Sequence, residues 1–335
     1  MSELIPGPEL APIPAGAAAG LLAMAARAPS ILNTQPWRFL VCGRAIELHA
    51  DPSRRLRCDL SGREMLISCG AALFGLRLAV RALGHDPVVQ VLPDAGRTTL
   101  LARVGLGAPA PLSDLERRLI EALPHRHTHR GPFGAGTLPD GLLTSLRQDA
   151  AAESAVLALI EGKAAYDGLA AIVAEGTRQQ AADPRARADI RQWVRLPGSA
   201  SREGVPASAI VARAAGRSGP PPGSLAQRDF DLGRDIGSLP SAQSPVAATA
   251  VLLTATDTPA DWINAGQALH RLLARAASQW IFASLHSAPL EVARTRALIR
   301  SSLRLPGAPQ MLLQFGVARA TQATPRRPAA AAGCD

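Results

Sequence analysis

Residues 29–37 read Pro-Ser-Ile-Leu-Asn-Thr-Gln-Pro-Trp and form the most informative stretch of this sequence. They place three neutral hydrogen-bonding side chains, Ser30, Asn33 and Gln35, between two prolines that restrict the backbone. Neutral amides and hydroxyls at fixed positions can match both the donors and the acceptors on the edge of a polar heterocycle. The alternative is a loop whose amides satisfy their own backbone, and the residue types favour neither interpretation.

Regular elements are predicted on both sides of this loop. The preceding helix, over 15–27, should stop before Pro29, because a residue that precedes proline is pushed out of the helical region. After the loop, apolar patterning predicts a strand pair, then a long buried helix that ends at Gly84, and then two more strands. The strands are expected at 37–41, 45–49, 88–92 and 99–104. These elements form a first α+β half over residues 1–112.

A second half is predicted over residues 113–330. Its helices are expected near 114–123, 139–148, 162–181 and 259–282, and its strands at 246–255 and 311–317. Between 197 and 245 the periodicity fails, and Gly, Pro, Ser and Arg accumulate. A segment of that length without regular structure is typical of a lid or of disorder.

A short repeat connects the two halves. Residues 70–73 and 266–269 both read Gly-X-Ala-Leu, and each is followed three residues later by another leucine. Both lie in predicted helices that flank strands of similar order. The repeat suggests a fold unit paired with a diverged copy of itself.

The stretch 125–130 alternates histidine with other polar residues and leaves alternatives open. In an extended conformation, His125, His127 and His129 would share one face and could ligate a metal. The other face would present Arg126, Thr128 and Arg130, two guanidiniums and a hydroxyl that suit a phosphomonoester. We favour this cradle over a metal site or a solvated basic loop, because a metal-bound histidine needs oriented acidic partners and only Glu121 lies nearby in sequence.

Composition limits the class of protein further. The chain has 335 residues, of which 47% are hydrophobic, enough for two packed lobes. The net charge of +9 comes almost wholly from scattered arginines, with aromatic residues at 3%, which argues against nucleic-acid binding. The four cysteines have neither CxxC nor zinc spacing, and no membrane segment is apparent, so a reduced, cytoplasmic protein is expected.

Five motifs in order resemble those of the FMN-dependent nitroreductase-like family, in its fused, Acg-like branch. Residues 29–37 match a P-S-S-x-N-x-Q-P-W loop with Ile31 in place of the second serine, and residues 126–130 match an R-R-S-x-R phosphate motif. The remaining three lie at 59–73, 261–269, and 309–313 together with 324–328. The resemblance implies a nitroreductase α+β fold of two fused, unequal halves, arranged as an intramolecular dimer.

The resemblance also assigns roles to residues. It implies that Arg126, Thr128 and Arg130 hold the FMN phosphate and that Arg326 or Arg327 closes over it. Ser30, Asn33 and Gln35 would reach the flavin from the other half, and residues 283–287 would pass near flavin N5. Since the loop occurs only in the first half and the phosphate motif only in the second, one complete site is expected.

The expected activity follows from the cofactor. FMN would take electrons from NADH or NADPH and pass them to a small nitro- or quinone-type acceptor, so neither a catalytic side chain nor a metal is expected. The alternative is a protein that sequesters flavin with little turnover, with residues 197–245 covering the site. The chain is expected to act as a monomeric pseudo-dimer, with further self-association left open.

Overall fold

The computed structural model describes residues 10–210, 225–237, 246–318, 324–329 and 331–333. Helices and strands are mixed along the whole of this described chain, and the strands form two separate sheets. The predicted α+β class is therefore confirmed. The predicted lid at 197–245 lies partly outside the described residues, at 211–224 and 238–245.

The first sheet is built mainly from the first half. The elements are α1 (Ala17–Ala25), β1 (Trp37–Cys42), β2 (Ala45–Ala50), α2 (Arg63–Ala82), β3 (His85–Val91) and β4 (Leu100–Pro109). The strand order is β3-β4-β2-β1, all antiparallel, and β9 (Ala331–Gly333) adds a parallel strand beside β1. The C-terminal segment of the chain thus completes the N-terminal sheet.

The second sheet uses later strands in the order β5-β6-β8-β7, all antiparallel. Its elements are α3 (Asp114–Ala122), α4 (Leu142–Ala151), β5 (Ala155–Leu159), α5 (Lys163–Ala182), α6 (Pro184–Trp193), β6 (Ala248–Thr254), α7 (Pro259–Ala277), β7 (Ile281–Leu285), α8 (Ala288–Glu291), α9 (Ala293–Ser302) and β8 (Ala308–Val317). The domain boundary at 112/113 stays a prediction, although it falls between β4 and α3.

The predicted helix over 259–282 is wrong at its C-terminal end. The helix ends at Ala277, and Phe282 lies in the strand β7. Between them Trp280 has a φ of 57°, a left-handed conformation that no helix continues. The run Ile281–Leu285 is short and mostly apolar. Such a run has no periodicity that distinguishes a buried strand from a buried helix.

The central contact of the fold is between α2 and α7, the two helices that carry the repeat. A Cβ atom on Gly70 would lie 2.1 Å from the carbonyl oxygen of Ile263, and one on Gly266 would lie 2.0 Å from that of Ile67. The two helix backbones therefore touch at both glycines, with no room for any side chain. The repeat recognised in the sequence is the contact that joins the halves.

Helix α2 is apolar enough and long enough to cross a membrane by length and composition. Of its most apolar window, however, 78% is buried inside the protein. Its apolar character is explained by contacts with α7, α1 and the first sheet.

The cysteines depart in part from the expectation of a reduced protein. Cys58 and Cys69 are free, whereas Cys42 is disulfide-bonded.

We predict that Gly266→Ala destabilises the protein by about 2–3 kcal/mol, because the added methyl group must push the two helix backbones apart. Urea unfolding followed by circular dichroism measures this. Gly20→Ala on α1 is the matched control, since nothing lies within 4 Å of a Cβ atom there, and it should stabilise by up to about 1 kcal/mol. Equal stability of Gly266→Ala and the wild type would contradict the close contact.

Candidate functional site

A cavity lies between the two halves, and residues of both halves line it. The first half contributes residues 29–32 and the start of α2 to its wall. The second half contributes residues 128–130, 226–230 and 284–289, together with Leu269 and Met311. Each half alone would leave this cavity open on one side.

Four arginines gather beside the cavity and form what we call the arginine cluster: Arg27, Arg126, Arg130 and Arg326. Arg126 is only 4% exposed, and its Nε and Nη1 atoms have no hydrogen-bond partner among the described residues. The Nη1 atom of Arg130, which lines the cavity, also lacks one. None of the ion pairs between described residues involves these four side chains.

Burial without a counter-charge disfavours the charged form of Arg126, Arg130 and Arg326, whereas Arg27 is exposed. Burial, with the nearby charges of Arg130 and Arg27, lowers the pKa of Arg126 to about 10. Burial lowers the pKa of Arg130 to about 10 as well. Burial and the charges of Arg126, Arg130 and Arg27 hold the pKa of Arg326 well below its usual range. Buried cations with unused donors form a site for an anion.

Within residues 125–130, Thr128, His129 and Arg130 lie on the cavity wall. Thr128 forms a parallel β-bridge with Ala283, and the backbone N–H of His129 donates to the Ala283 carbonyl at 2.9 Å. This contact ties the predicted phosphate motif to β7. The predicted separation of faces is not kept: His129 lines the cavity beside Thr128 and Arg130, whereas Arg126 does not, since the stretch forms only an isolated β-bridge at Thr128 rather than a strand.

His125 and His127 face other partners, whereas His129 lies on the cavity wall. The Nδ1 atom of His127 donates to the carbonyl of His125 at 2.8 Å, and the ring of His125 stacks on Trp280. Ring nitrogen Nε2 of His129 donates to the Pro132 carbonyl at 3.1 Å. Within the described residues, no three histidine, cysteine or acidic side chains are grouped as a metal site.

The three predicted residues of the 29–37 loop have different surroundings. Ser30 lines the cavity, and its Oγ accepts a hydrogen bond from the backbone N–H of Gln35 at 3.0 Å. Asn33 and Gln35 do not line it. Both have positive φ, 54° and 50°, and their side chains turn toward other segments of the chain.

Asn33 and Gln35 instead hold the C-terminal segment that carries the arginine pair. The Oδ1 atom of Asn33 accepts from Arg326 Nη1 at 3.0 Å, and the Oε1 atom of Gln35 accepts from the backbone N–H of Arg327 at 2.9 Å. Their amide nitrogens donate to the carbonyls of Gly204 and Arg202, both at 2.9 Å. The loop therefore positions Arg326 rather than presenting its amides to the cavity.

The two arginines of the C-terminal pair, Arg326 and Arg327, have different partners. Arg326 joins the arginine cluster and donates from Nε to the Ala28 carbonyl at 3.1 Å. Arg327 donates to the carbonyl of Gln35 at 2.8 Å and lies 3.7 Å from a carboxylate oxygen of Glu203. Of the two predicted alternatives, Arg326 is the one placed with Arg126 and Arg130.

The segment 283–287, predicted from the resemblance alone, lies at the cavity. Ser284, Leu285, His286 and Ser287 all line it. The C-terminal end of β7 therefore forms part of the cavity wall, as residues 29–32 of the first half do.

Sequence reasoning assigned no role to several wall residues. Glu64 and Arg228 are charged and almost fully buried, and Phe230 lies under the guanidinium of Arg130 at 5.8 Å from the ring centroid. An Arg-Glu dipeptide at the start of an apolar helix was the available signal for Glu64. Arg228 and Phe230 lie in the predicted lid, where no periodicity marked them; residues 225–230 pack on the site.

Comparison with known proteins gives relatives along most of the chain. A Mycobacterium tuberculosis (strain ATCC 25618 / H37Rv) protein named "Putative NAD(P)H nitroreductase" is 33% identical over 302 residues, covering 88% of this chain and 83% of that protein. The "Putative NAD(P)H nitroreductase acg" of the same organism is 27% identical over 311 residues, covering 91% of each. No family model matches the chain.

A solved nitroreductase with bound FMN from Desulfitobacterium hafniense DCB-2 has a TM-score of 0.38 and 13% sequence identity, over 63% of this chain and 93% of that one. Similarity at this level is too low to identify a fold or a ligand.

The structure defines a two-half α+β protein with a cationic cavity between its halves. The identity and coverage of the relatives add the family: the chain belongs to the NAD(P)H nitroreductase-like proteins. The predicted resemblance to this family, in its Acg-like branch, is confirmed.

We predict that Arg126→Met leaves the ligand-free protein at least as stable as the wild type, because it removes a buried charge without a counter-charge. Urea unfolding in phosphate-free buffer measures this. In the control variant Arg271→Met, the carboxylates of Asp149 and Glu153 lose a partner, so stability should fall by about 3 kcal/mol. A comparable loss in Arg126→Met would show that the arginine cluster is a structural ion-pair site.

Proposed function

We propose that this protein binds one FMN in the cavity between its halves and acts as an NAD(P)H-dependent oxidoreductase that reduces a small nitro- or quinone-type acceptor. The observation that carries the proposal is the arginine cluster, in which buried guanidinium donors lack partners among the described residues beside a cavity that both halves line. The names of the relatives supply the electron donor and the reaction class.

The residues present fit the phosphate of FMN. Arg126 and Arg130 offer buried donors without partners among the described residues, and Thr128 adds a hydroxyl beside Arg130 on the cavity wall. Arg326 brings a third positive charge, fixed by Asn33. A phosphate bound here would supply the counter-charge that these buried side chains lack.

The rest of the cavity suits a flat aromatic group. Ile31, Ile67, Leu269 and Met311 provide apolar wall, and Ser30 and Ser284 add hydroxyls. Bound FMN supplies the redox chemistry by accepting a hydride from the nicotinamide and passing electrons to the acceptor. The protein holds the phosphate, excludes water with its apolar wall and fixes the orientation.

We predict that Arg126→Ala/Arg130→Ala loses about 3–6 kcal/mol of FMN binding, at about 1.5–3 kcal/mol for each charged donor. Fluorescence quenching of FMN titrated with deflavinated protein measures the affinity. The matched control is Arg294→Ala/Arg300→Ala, which removes two exposed arginines from α9. Unchanged affinity in the first variant would place the phosphate elsewhere.

We also predict that anaerobic mixing of the FMN-bound protein with NADH or NADPH bleaches the flavin absorbance in a stopped-flow instrument. Reduction by either nucleotide supports an oxidoreductase. A protein that retains FMN but is reduced by neither would instead be the flavin-sequestering protein of the alternative hypothesis, for which the packing of residues 225–230 on the cavity is the motivating observation.

A further inference from the structure

A second charged group borders the cavity, separate from the arginine cluster. It consists of Asp59, Arg63, Glu64, Arg228 and Glu291, and we call it the mixed-charge cluster. The charges that act on Glu64 are those of Arg63, Glu291, Asp59 and Arg228, whereas those that act on Arg126 are Arg130 and Arg27. The two groups therefore occupy different parts of the site.

Two members of the mixed-charge cluster line the cavity, Glu64 from α2 and Arg228 from the segment 225–237. Arg228 pairs with Glu291 and donates from Nη2 to Ser287 Oγ at 3.1 Å. Its Nη1 atom is buried and has no hydrogen-bond partner among the described residues. A buried guanidinium with an unused donor at a cavity wall is a site for an oxygen atom of a ligand.

Glu64 is held from the other side by Arg63. The guanidinium of Arg63 contacts Glu64 and also donates to the carbonyl of Gln310 at 3.0 Å and to that of Leu290 at 3.3 Å. Arg63 therefore divides its donors among several acceptors. Glu64 is 3% exposed, so its remaining surface faces the cavity that it lines.

The formal charges of the mixed-charge cluster do not balance. Three carboxyl groups, Asp59, Glu64 and Glu291, share two guanidiniums, Arg63 and Arg228. Arg228 lowers the pKa of Glu291. Burial raises the pKa of Asp59 although the backbone N–H of Met65 donates to it at 2.9 Å, but Asp59 does not line the cavity. Burial raises the pKa of Glu64 to about 7. Glu64 is the carboxyl group on the cavity wall that holds an exchangeable proton near neutral pH.

Other groups near this part of the wall do not supply protons as readily. Both nitrogens of His286 are engaged, with the Ala226 carbonyl and Ser284 Oγ, each at 3.2 Å, and burial lowers its pKa to about 4. Burial and the charge of Glu291 raise the pKa of the Cys58 thiol. Glu64 is thus the acid that fits.

We propose that Glu64 and Arg228 form the acceptor site, in which Arg228 donates to an oxygen atom of a conjugated carbonyl or nitro compound and Glu64 protonates that acceptor. This deepens the proposed function and rests on it. The acceptor gains a hydride, that is two electrons and one proton, from the reduced flavin. Glu64 supplies the second proton to the acceptor oxygen, becomes a carboxylate and is reprotonated from solvent, so atoms and charge balance.

The first test measures the proton transfer. FMN-bound protein reduced with dithionite is mixed anaerobically with duroquinone, and reoxidation of the flavin is followed across pH. In the wild type the rate should fall above about pH 7, because only protonated Glu64 is an acid. Glu64→Gln should be about 100-fold slower at low pH and lack this dependence. The control Glu161→Gln, an exposed carboxylate, should behave as wild type.

A second readout does not depend on turnover. The infrared spectrum of the wild type should contain the C=O band of a buried protonated carboxylic acid near neutral pH, shifted in D₂O and absent from Glu64→Gln. An unchanged pH profile in Glu64→Gln, or the same band in both proteins, would overturn the assignment of Glu64.

A third experiment tests Arg228 by measuring the binding of an acceptor without its reduction. Calorimetry with duroquinone and the oxidised protein should give about 10- to 100-fold weaker binding for Arg228→Gln/Glu291→Gln. This double variant removes both members of the Arg228–Glu291 pair, and Arg147→Gln/Glu161→Gln, which neutralises an exposed pair, is its control. Equal binding by the double variant and the wild type would overturn the role of Arg228.

The infrared and calorimetric arms apply whether or not the protein carries flavin. A wild type that binds no FMN would refute the proposed function, whereas a flavin-bound, NAD(P)H-reducible wild type with an unaltered Glu64→Gln profile would refute only the acceptor site.

Discussion

The direct backbone contact between α2 and α7 is the constraint on which the site depends. With a glycine from each helix at the crossing, the helices approach until the carbonyl of one occupies the place of a side chain on the other. This fixes the two halves in one register. The start of α2 and the end of β7, which follows α7, are thereby brought to the same cavity. Larger residues at the crossing would separate the walls as well as weaken the core.

The arginine cluster lowers the free energy of unfolding that this core provides. Burying positive charges side by side is unfavourable, and the lowered pKa values of Arg126 and Arg130 express that free-energy cost. Elsewhere the chain avoids such an arrangement: Asp149 and Glu153 neutralise Arg271 and Arg275 on the same helix, α7. The contrast within one fold supports the proposal that the unpaired arginines bind a ligand.

Sequence reasoning marked the repeat that forms the helix contact and three of the four clustered arginines, Arg126, Arg130 and Arg326, because each depends on local patterns. Paired glycines in apolar helices and alternate arginines in an extended stretch are visible in a single sequence. It could not distinguish the task of Asn33 and Gln35 from that of Ser30. That difference depends on long-range contacts with residues 202–204 and 325–327, which no spacing encodes. Arg228 was missed for the same reason, since its partner Glu291 is far along the chain.

The bond between Asn33 and Arg326 spans 293 residues and has a consequence for biosynthesis. A chain emerging from the ribosome presents the 29–37 loop early, then Arg126 and Arg130, and the tail last. Strand β9, which completes the first sheet, arrives later still. The third guanidinium thus reaches the site only after both sheets have their other strands. The proposed cofactor can therefore bind with full affinity only after residue 326 has been translated. A chain truncated before that residue should bind an anion more weakly than the full-length chain.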